Sequence, residues 1–173
     1  MVANLSVNYK AIRVKTFMAE LPALNIRKIL LAEDDDEDYD LLNSAVLSIY
    51  SSVDILRTTN GIMLSSIMES SISPDLIILD INMPFKNGIS CLKEIKSNPK
   101  FAKTKVVMFS TTCLQKDIDT CYELGADFFI VKPNTYSKII EQFKALFLHP
   151  YFIKEERTPR DEFLLLKDPF YSC

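Results

Sequence analysis

The chain has 173 residues, 48% of them apolar and 25% charged, with a formal net charge of −3; that favours one domain with some decoration and allows a core without disulfides or metal staples. No apolar run approaches the roughly 18 residues of a membrane span, Asn4, Lys10, Arg13 and Lys15 interrupt the N-terminus where a signal peptide would be continuous, and no concentrated basic run offers a nucleic-acid surface. Cys91, Cys113, Cys121 and Cys173 form no CxxC pair and His149 is the sole histidine, so a Cys/His zinc site is disfavoured and the cysteines read as reduced packing residues of a cytoplasmic protein.

Residues 1–26 precede any regular pattern and are expected to form a partly disordered extension, with Met18 as a second candidate start. The first strand-like run, near 27–32, ends in Glu33-Asp34 and opens a segment with seven acids: Glu33, Asp34, Asp35, Asp36, Glu37, Asp38 and Asp40. Without them 16 acids face 20 bases, a balance of +4, so the acidity is local and points to a site. Acids in the first turn of a helix near 37–50 complement its dipole, which accounts for Asp36, Glu37 and Asp38. It does not account for Glu33 and Asp34, adjacent carboxylates at a strand end that repel unless a cation is supplied. An EF-hand is excluded, because Tyr39 stands where its loop needs Gly and Ala45 where it needs the bidentate Glu.

A strand near 53–57 and a helix near 61–71 follow. The third run, 75–80, is almost continuously apolar, as a parallel strand covered on both faces should be, and ends at Asp80. In the next segment, Asn82-Met83-Pro84, the proline keeps its predecessor out of the helical region, which lets the Asn82 carbonyl turn toward the acids. Two carboxylates, one carbonyl and waters make a plausible magnesium site. A helix is expected near 87–97, and Asn87-Gly88 and Asn98-Pro99 punctuate the loops.

The fourth strand, near 105–109, ends in Ser110-Thr111, residues that cap a helix or face a site with about equal ease. A helix near 113–124 keeps Leu114, Ile118, Cys121 and Tyr122 on one face, includes Cys113, and is followed by Gly125 where a left-handed cap is wanted. The fifth strand, near 127–131, ends in Lys132-Pro133, which brings an ammonium to the acidic edge and offers a candidate cis bond. A helix near 134–148 aligns Ile139, Ile140, Phe143 and Phe147. In the tail, 149–173, His149 reads as a surface residue at a helix end, and Phe163-Leu164-Leu165-Leu166 as a quartet packing back on the domain or on a partner.

Five strand–helix units with short right-handed crossovers predict a doubly wound α/β fold whose ligands sit at the carboxyl ends of the strands. Residues 27–148, about seven tenths of the chain, resemble the receiver domain of two-component response regulators through five ordered signals: Glu33-Asp34, Asp80, Asn82-Met83-Pro84, Ser110-Thr111 and Lys132-Pro133. The resemblance implies a flavodoxin-like (βα)5 three-layer sandwich with parallel strand order 2-1-3-4-5. It implies Asp80 as phosphoacceptor, Mg2+ held by Asp34, Asp80 and the Asn82 carbonyl with Glu33 acting through water, and Lys132 on the phosphoryl oxygens. Ser110 would bond those oxygens after modification, and Phe129 matches the aromatic that changes rotamer with it. Thr111, bulkier than the Ala or Gly frequent there, and Thr112 would lie beside the phosphoryl group.

The function implied is a phosphorylation-dependent switch rather than an enzyme. It would take its phosphoryl group from a histidine kinase or phosphotransfer protein and signal to a downstream effector protein in the cytoplasm, without nucleic acid or membrane. The 25 residues after 148 are too few for a helix-turn-helix output domain, so output is expected through protein contacts, with a homodimer left open. The alternative, a Mg2+-dependent phosphatase working through an aspartyl phosphate, needs a D-x-D-x-[TV] motif that breaks at Asp38. A flavin or mononucleotide carrier needs a Gly-rich loop where this chain places acids.

Overall fold

Every residue of Leu76-Ile77-Ile78-Leu79 is buried, as is every residue of Lys105–Ser110, and this two-sided burial is what a central parallel strand requires. The computed structural model describes residues 24–154 and 156–165. Residues 1–23 and 166–173 lie outside the described residues, and with them most of the expected N-terminal extension and the end of the tail.

The elements run β1 (Lys28–Ala32), α1 (Asp36–Ile49), β2 (Asp54–Thr58), α2 (Gly61–Glu69), β3 (Leu76–Leu79), α3 (Gly88–Ser97), β4 (Lys105–Ser110), α4 (Gln115–Glu123), β5 (Phe128–Val131), α5 (Tyr136–Phe147) and a short α6 (Pro150–Ile153). The strands form one parallel sheet in the order β2-β1-β3-β4-β5, with helices on both faces, the flavodoxin-like arrangement expected. Side-chain alternation along each strand divides the core in two. Leu30, Ile77, Leu79, Met108 and Phe129 pack with Leu64, Leu92 and Ile118 from α2, α3 and α4. Ile29, Leu31, Ile78, Val107 and Phe109 pack with Val46 and Phe143 from α1 and α5.

Local signals set the helix ends. The side chains of Asp35, Asn60 and Asn87 cap α1, α2 and α3 by accepting from the backbone N–H of Asp38, Met63 and Ser90. Gly125, at φ 95°, ends α4, with its N–H on Tyr122 O and that of Ala126 on Cys121 O.

The tail adds to the sheet. Phe129 N–H donates to Phe163 O at 2.8 Å and Leu165 N–H to Phe129 O at 2.9 Å, which lays residues 163–165 parallel to β5 on its open edge. Phe163 is fully buried, with its ring 5.1 Å from Tyr122 and 6.3 Å from Phe129.

Four readings change. The Lys132–Pro133 bond is trans, as are all described peptide bonds; trans is the lower-energy form for X–Pro, and the lysine reaches the acids without the cis turn. His149 is buried rather than at the surface, 8% exposed, because the tail covers it and its ring stands edge-on to Phe128 at 4.8 Å. Cys113 precedes α4 instead of lying on it. Cys91 and Cys121 are free and buried, whereas Cys113 is disulfide-bonded, against the all-reduced reading.

Candidate functional site

β1, β3, β4 and β5 end side by side, so the polar residue after each apolar run reaches the same rim. Glu33 follows β1 and Asp80 follows β3; both are buried, at 2% and 4% exposure. Their positions are fixed by the ladder, Glu33 N–H bonding Thr58 O at 2.9 Å and Asp80 N–H bonding Ala32 O at 3.0 Å. Ser110, the last residue of β4, is fully buried and donates from Oγ to Asp80 Oδ1 at 2.6 Å.

Lys132, after β5, is the positive centre. Its Nζ donates to Glu33 Oε2 at 2.7 Å, Asp38 Oδ2 at 2.8 Å and Asp80 Oδ2 at 2.8 Å, with the lysine side chain only 7% exposed. Burial alone pulls its pKa down, but the bonds to Asp38, Asp80 and Glu33 outweigh that and hold it above the ordinary lysine value. Burial pushes Glu33 the other way, up to about 7, against the opposing pull of Lys132.

Carboxylate oxygens of Glu33, Asp34 and Asp80 all lie within 4.8 Å of one another. The donors are hard oxygens, one lysine faces four acids (Glu33, Asp34, Asp38 and Asp80), and Asp34 makes no side-chain hydrogen bond or ion pair among the described residues. That donor set fits a small divalent cation and no soft metal. The Asn82 carbonyl accepts no hydrogen bond among the described residues, and Asn82 N–H donates to Asp80 Oδ1 at 3.2 Å.

The loop that carries Asn82 is closely laid. A Cβ on Gly88 would stand 2.0 Å from Asp80 O, and one on Gly61 2.4 Å from Lys86 O. Phe85 takes φ 65° at its crest and is 85% exposed.

The remaining candidates divide. Thr111 is exposed and its Oγ1 accepts from Asn82 Nδ2 at 3.4 Å, so it lies at the pocket's edge. Thr112 donates to Asp117 Oδ2 at 3.0 Å, which commits its hydroxyl to the start of α4. Phe129 is fully buried beneath Phe163.

Two residues escaped the sequence reading. Asp38, assigned to the helix dipole, holds Lys132; it lies in the first turn of α1, but the lysine lies 94 residues away and no local signal links the two. Arg57, on β2, reaches across the acidic loop and carried no signal of its own.

A family model described as the response regulator receiver domain matches residues 29–144. The transcriptional regulatory protein CpxR of Klebsiella pneumoniae is 29% identical over 133 residues, which are 77% of this chain and 54% of CpxR; the chain thus spans about half the length of that relative. Response regulator Rcp1 of Synechocystis is 27% identical, covering 68% of this chain and 84% of Rcp1. The Mn2+-bound form of Rcp1 superposes with a TM-score of 0.65 at 25% identity, over 72% of this chain and 96% of Rcp1. The phosphorylated cyanobacterial phytochrome response regulator RcpA does so at 0.66 with 28% identity, over 72% of this chain and 95% of RcpA.

Proposed function

The chain belongs to the response regulator receiver domain family, whose members serve phosphorylation-dependent signalling, and on that premise we propose that Asp80 accepts a phosphoryl group from a phosphohistidine. The donor is a histidine kinase or phosphotransfer protein, and the product acts on an effector protein in the cytoplasm. Receiver domains in general meet kinases and effectors in this way and act as phosphoacceptors with weak autophosphatase activity. The switch reading is therefore preferred over that of an enzyme turning over external substrates.

One observation carries the proposal: a buried carboxylate, Asp80, is held by Ser110 on one oxygen and Lys132 on the other, beside the carboxylate of Asp34, which has no partner among the described residues. One oxygen of Asp80 attacks phosphorus in line, the P–N bond breaks, and its electron pair stays on the donor imidazole. Carboxylate and phosphoryl group repel, and Lys132 offsets that repulsion when it leaves Glu33 and Asp38 for the phosphoryl oxygens. Asp34, Asp80 and the Asn82 carbonyl would hold the cation, with Glu33 on its water shell. Mg2+ is the assigned ion, and the Mn2+-bound form of Rcp1 supports a hard divalent cation at such a site. When bound, the ion supplies further charge neutralisation at the transferred oxygens.

Once modified, Asp80 gains charge and acceptor oxygens. Ser110 then turns from the carboxylate to a phosphoryl oxygen, and that displacement presses on Phe129 and the α4–β5–α5 face. The phosphatase alternative has no support here.

Incubation with acetyl phosphate and Mg2+, followed by intact mass and peptide mapping, tests the assignment. A single phosphoryl mass shift on the peptide containing Asp80 is expected, lost in Asp80→Asn and on chelation of the metal. Undiminished labelling of Asp80→Asn would overturn it, and sustained hydrolysis of a phosphomonoester would restore the phosphatase reading.

A further inference from the structure

The acidic loop after β1 is gripped by a residue that neither the strand ends nor the family signals point to. Arg57 stands on β2 opposite Leu31 and uses all three guanidinium nitrogens. Nε donates to Glu33 O at 3.1 Å, one terminal nitrogen to Asp34 O at 3.2 Å, and the other pairs with Asp36 Oδ1 at 2.7 Å. The guanidinium also lies over the Tyr39 ring, 4.3 Å from its centroid. Glu33 O and Asp34 O belong to the two peptide groups that flank the Asp34 Cα. Fastening both to one rigid planar fork fixes the backbone dihedrals of Asp34, and with them the direction in which its carboxylate leaves the chain.

That matters because Asp34 is exposed and its carboxylate has no partner among the described residues; besides Arg57, only the Asp35 N–H bond to Glu33 Oε1, at 3.3 Å, holds the peptide that follows it. Asp80 is oriented by Ser110, Lys132 and Asn82 N–H, and Glu33 by Lys132. Arg57 also pairs with Asp36, two residues from Asp34, and so ties the start of α1 to the same fork. Its own positive charge, on a β2 side chain that is 21% exposed, is answered by the Asp36 carboxylate it pairs with, which leaves little of it to repel a cation.

We infer that Arg57 is the positioning residue of the divalent-cation site, fixing Asp34 through its two flanking peptide oxygens. This rests on the reading of Glu33, Asp34 and Asp80 as that site. It predicts that the fork's geometry matters, and that its charge alone does not suffice.

Mn2+ binding, followed by the loss of the free-ion EPR signal and by competition with Mg2+, tests it on the unphosphorylated chain. Arg57→Ala is expected to bind Mn2+ about tenfold more weakly, the scale of one charge-assisted hydrogen bond. Arg57→Lys, which keeps the charge but loses the fork, should fall with it. In an Asp34→Asn background, Arg57→Ala should cause no further loss, which a general weakening of the fold would not reproduce. Thermal melts without metal report whether each variant is folded, and if Arg57→Ala is not, Arg57→Lys decides. Parent-like affinity in Arg57→Lys, tighter binding in Arg57→Ala, or a loss undiminished by Asp34→Asn would each overturn the inference. A parent that binds no Mn2+ would instead overturn the cation-site reading and the inference with it.

Discussion

Ser110 Oγ donates to Asp80 Oδ1 at 2.6 Å, across the two adjacent strands β3 and β4 and with both residues buried. Their strand ends lie side by side because Leu79 pairs with Met108 in the ladder, so the bond follows from register rather than from a flexible side chain finding a partner. It also means that the hydroxyl is already drawn toward the acceptor before modification. Ser110→Ala should therefore leave Asp80 able to take a phosphoryl group while destabilising the chain by about 1.5–3 kcal/mol, the worth of a buried hydrogen bond to a charged group. Urea unfolding and phosphoryl labelling of the same variant check both halves.

Lys132→Met removes the cation from among Glu33, Asp38 and Asp80. Losing one partner of a buried ion cluster costs about 3 kcal/mol or more, and labelling of Asp80 should fall steeply. Millimolar Mg2+ should return part of the lost stability by substituting one positive charge for another. Denaturation with and without the ion measures this.

His149 makes a pH prediction. Burial lowers its pKa to about 4, even with Glu162 Oε2 only 3.2 Å from Nε2. An imidazole takes up its proton near 6.5 in the unfolded chain. Between about pH 4 and pH 6.5 the unfolded state thus binds more protons than the folded one, and stability rises with pH across that window, by about 3 kcal/mol at most. Glu33, raised to about 7 by burial, has the opposite slope between pH 4.5 and 7 in metal-free protein. The difference between the parent and His149→Phe isolates the histidine. As the sole histidine, its ring protons report the titration directly by NMR.

Gly88 lies against the backbone of Asp80, and a Cβ there would meet Asp80 O at 2.0 Å. Backbone must move to admit it, so Gly88→Ala should cost about 1–3 kcal/mol and reduce labelling by displacing Asp80. Gly125→Ala is the contrast. At φ 95° its strain is local, with only ordinary contacts around the added carbon, so it should cost about 1–2 kcal/mol and leave labelling intact. Chemical denaturation and mass-shift assays of the pair separate a folding defect from a site defect.

Much of the molecule is legible along the chain. Leu76–Leu79 and Lys105–Ser110 announce buried parallel strands, Asn87 and Gly125 announce helix ends, and the polar residue after each apolar run announces the rim at Glu33, Asp80, Ser110 and Lys132. These signals are local: the two-residue period of a strand, the cap that satisfies a helix end and the type of residue at a strand terminus are each written in a few neighbouring positions.

What only the tertiary structure decided are the partnerships between distant segments. Asp38 turned out to hold Lys132, Arg57 to grip the loop around Asp34, Phe163 to cover Phe129, and the tail to bury His149 against Phe128. Each depends on how strands are ordered and how layers are set against the sheet. Over tens of residues the chain's own preferences say nothing of which charges will meet; that is settled when hydrophobic burial packs the layers, and ion pairs and hydrogen bonds then form among whatever groups the packing has brought within about 3 Å.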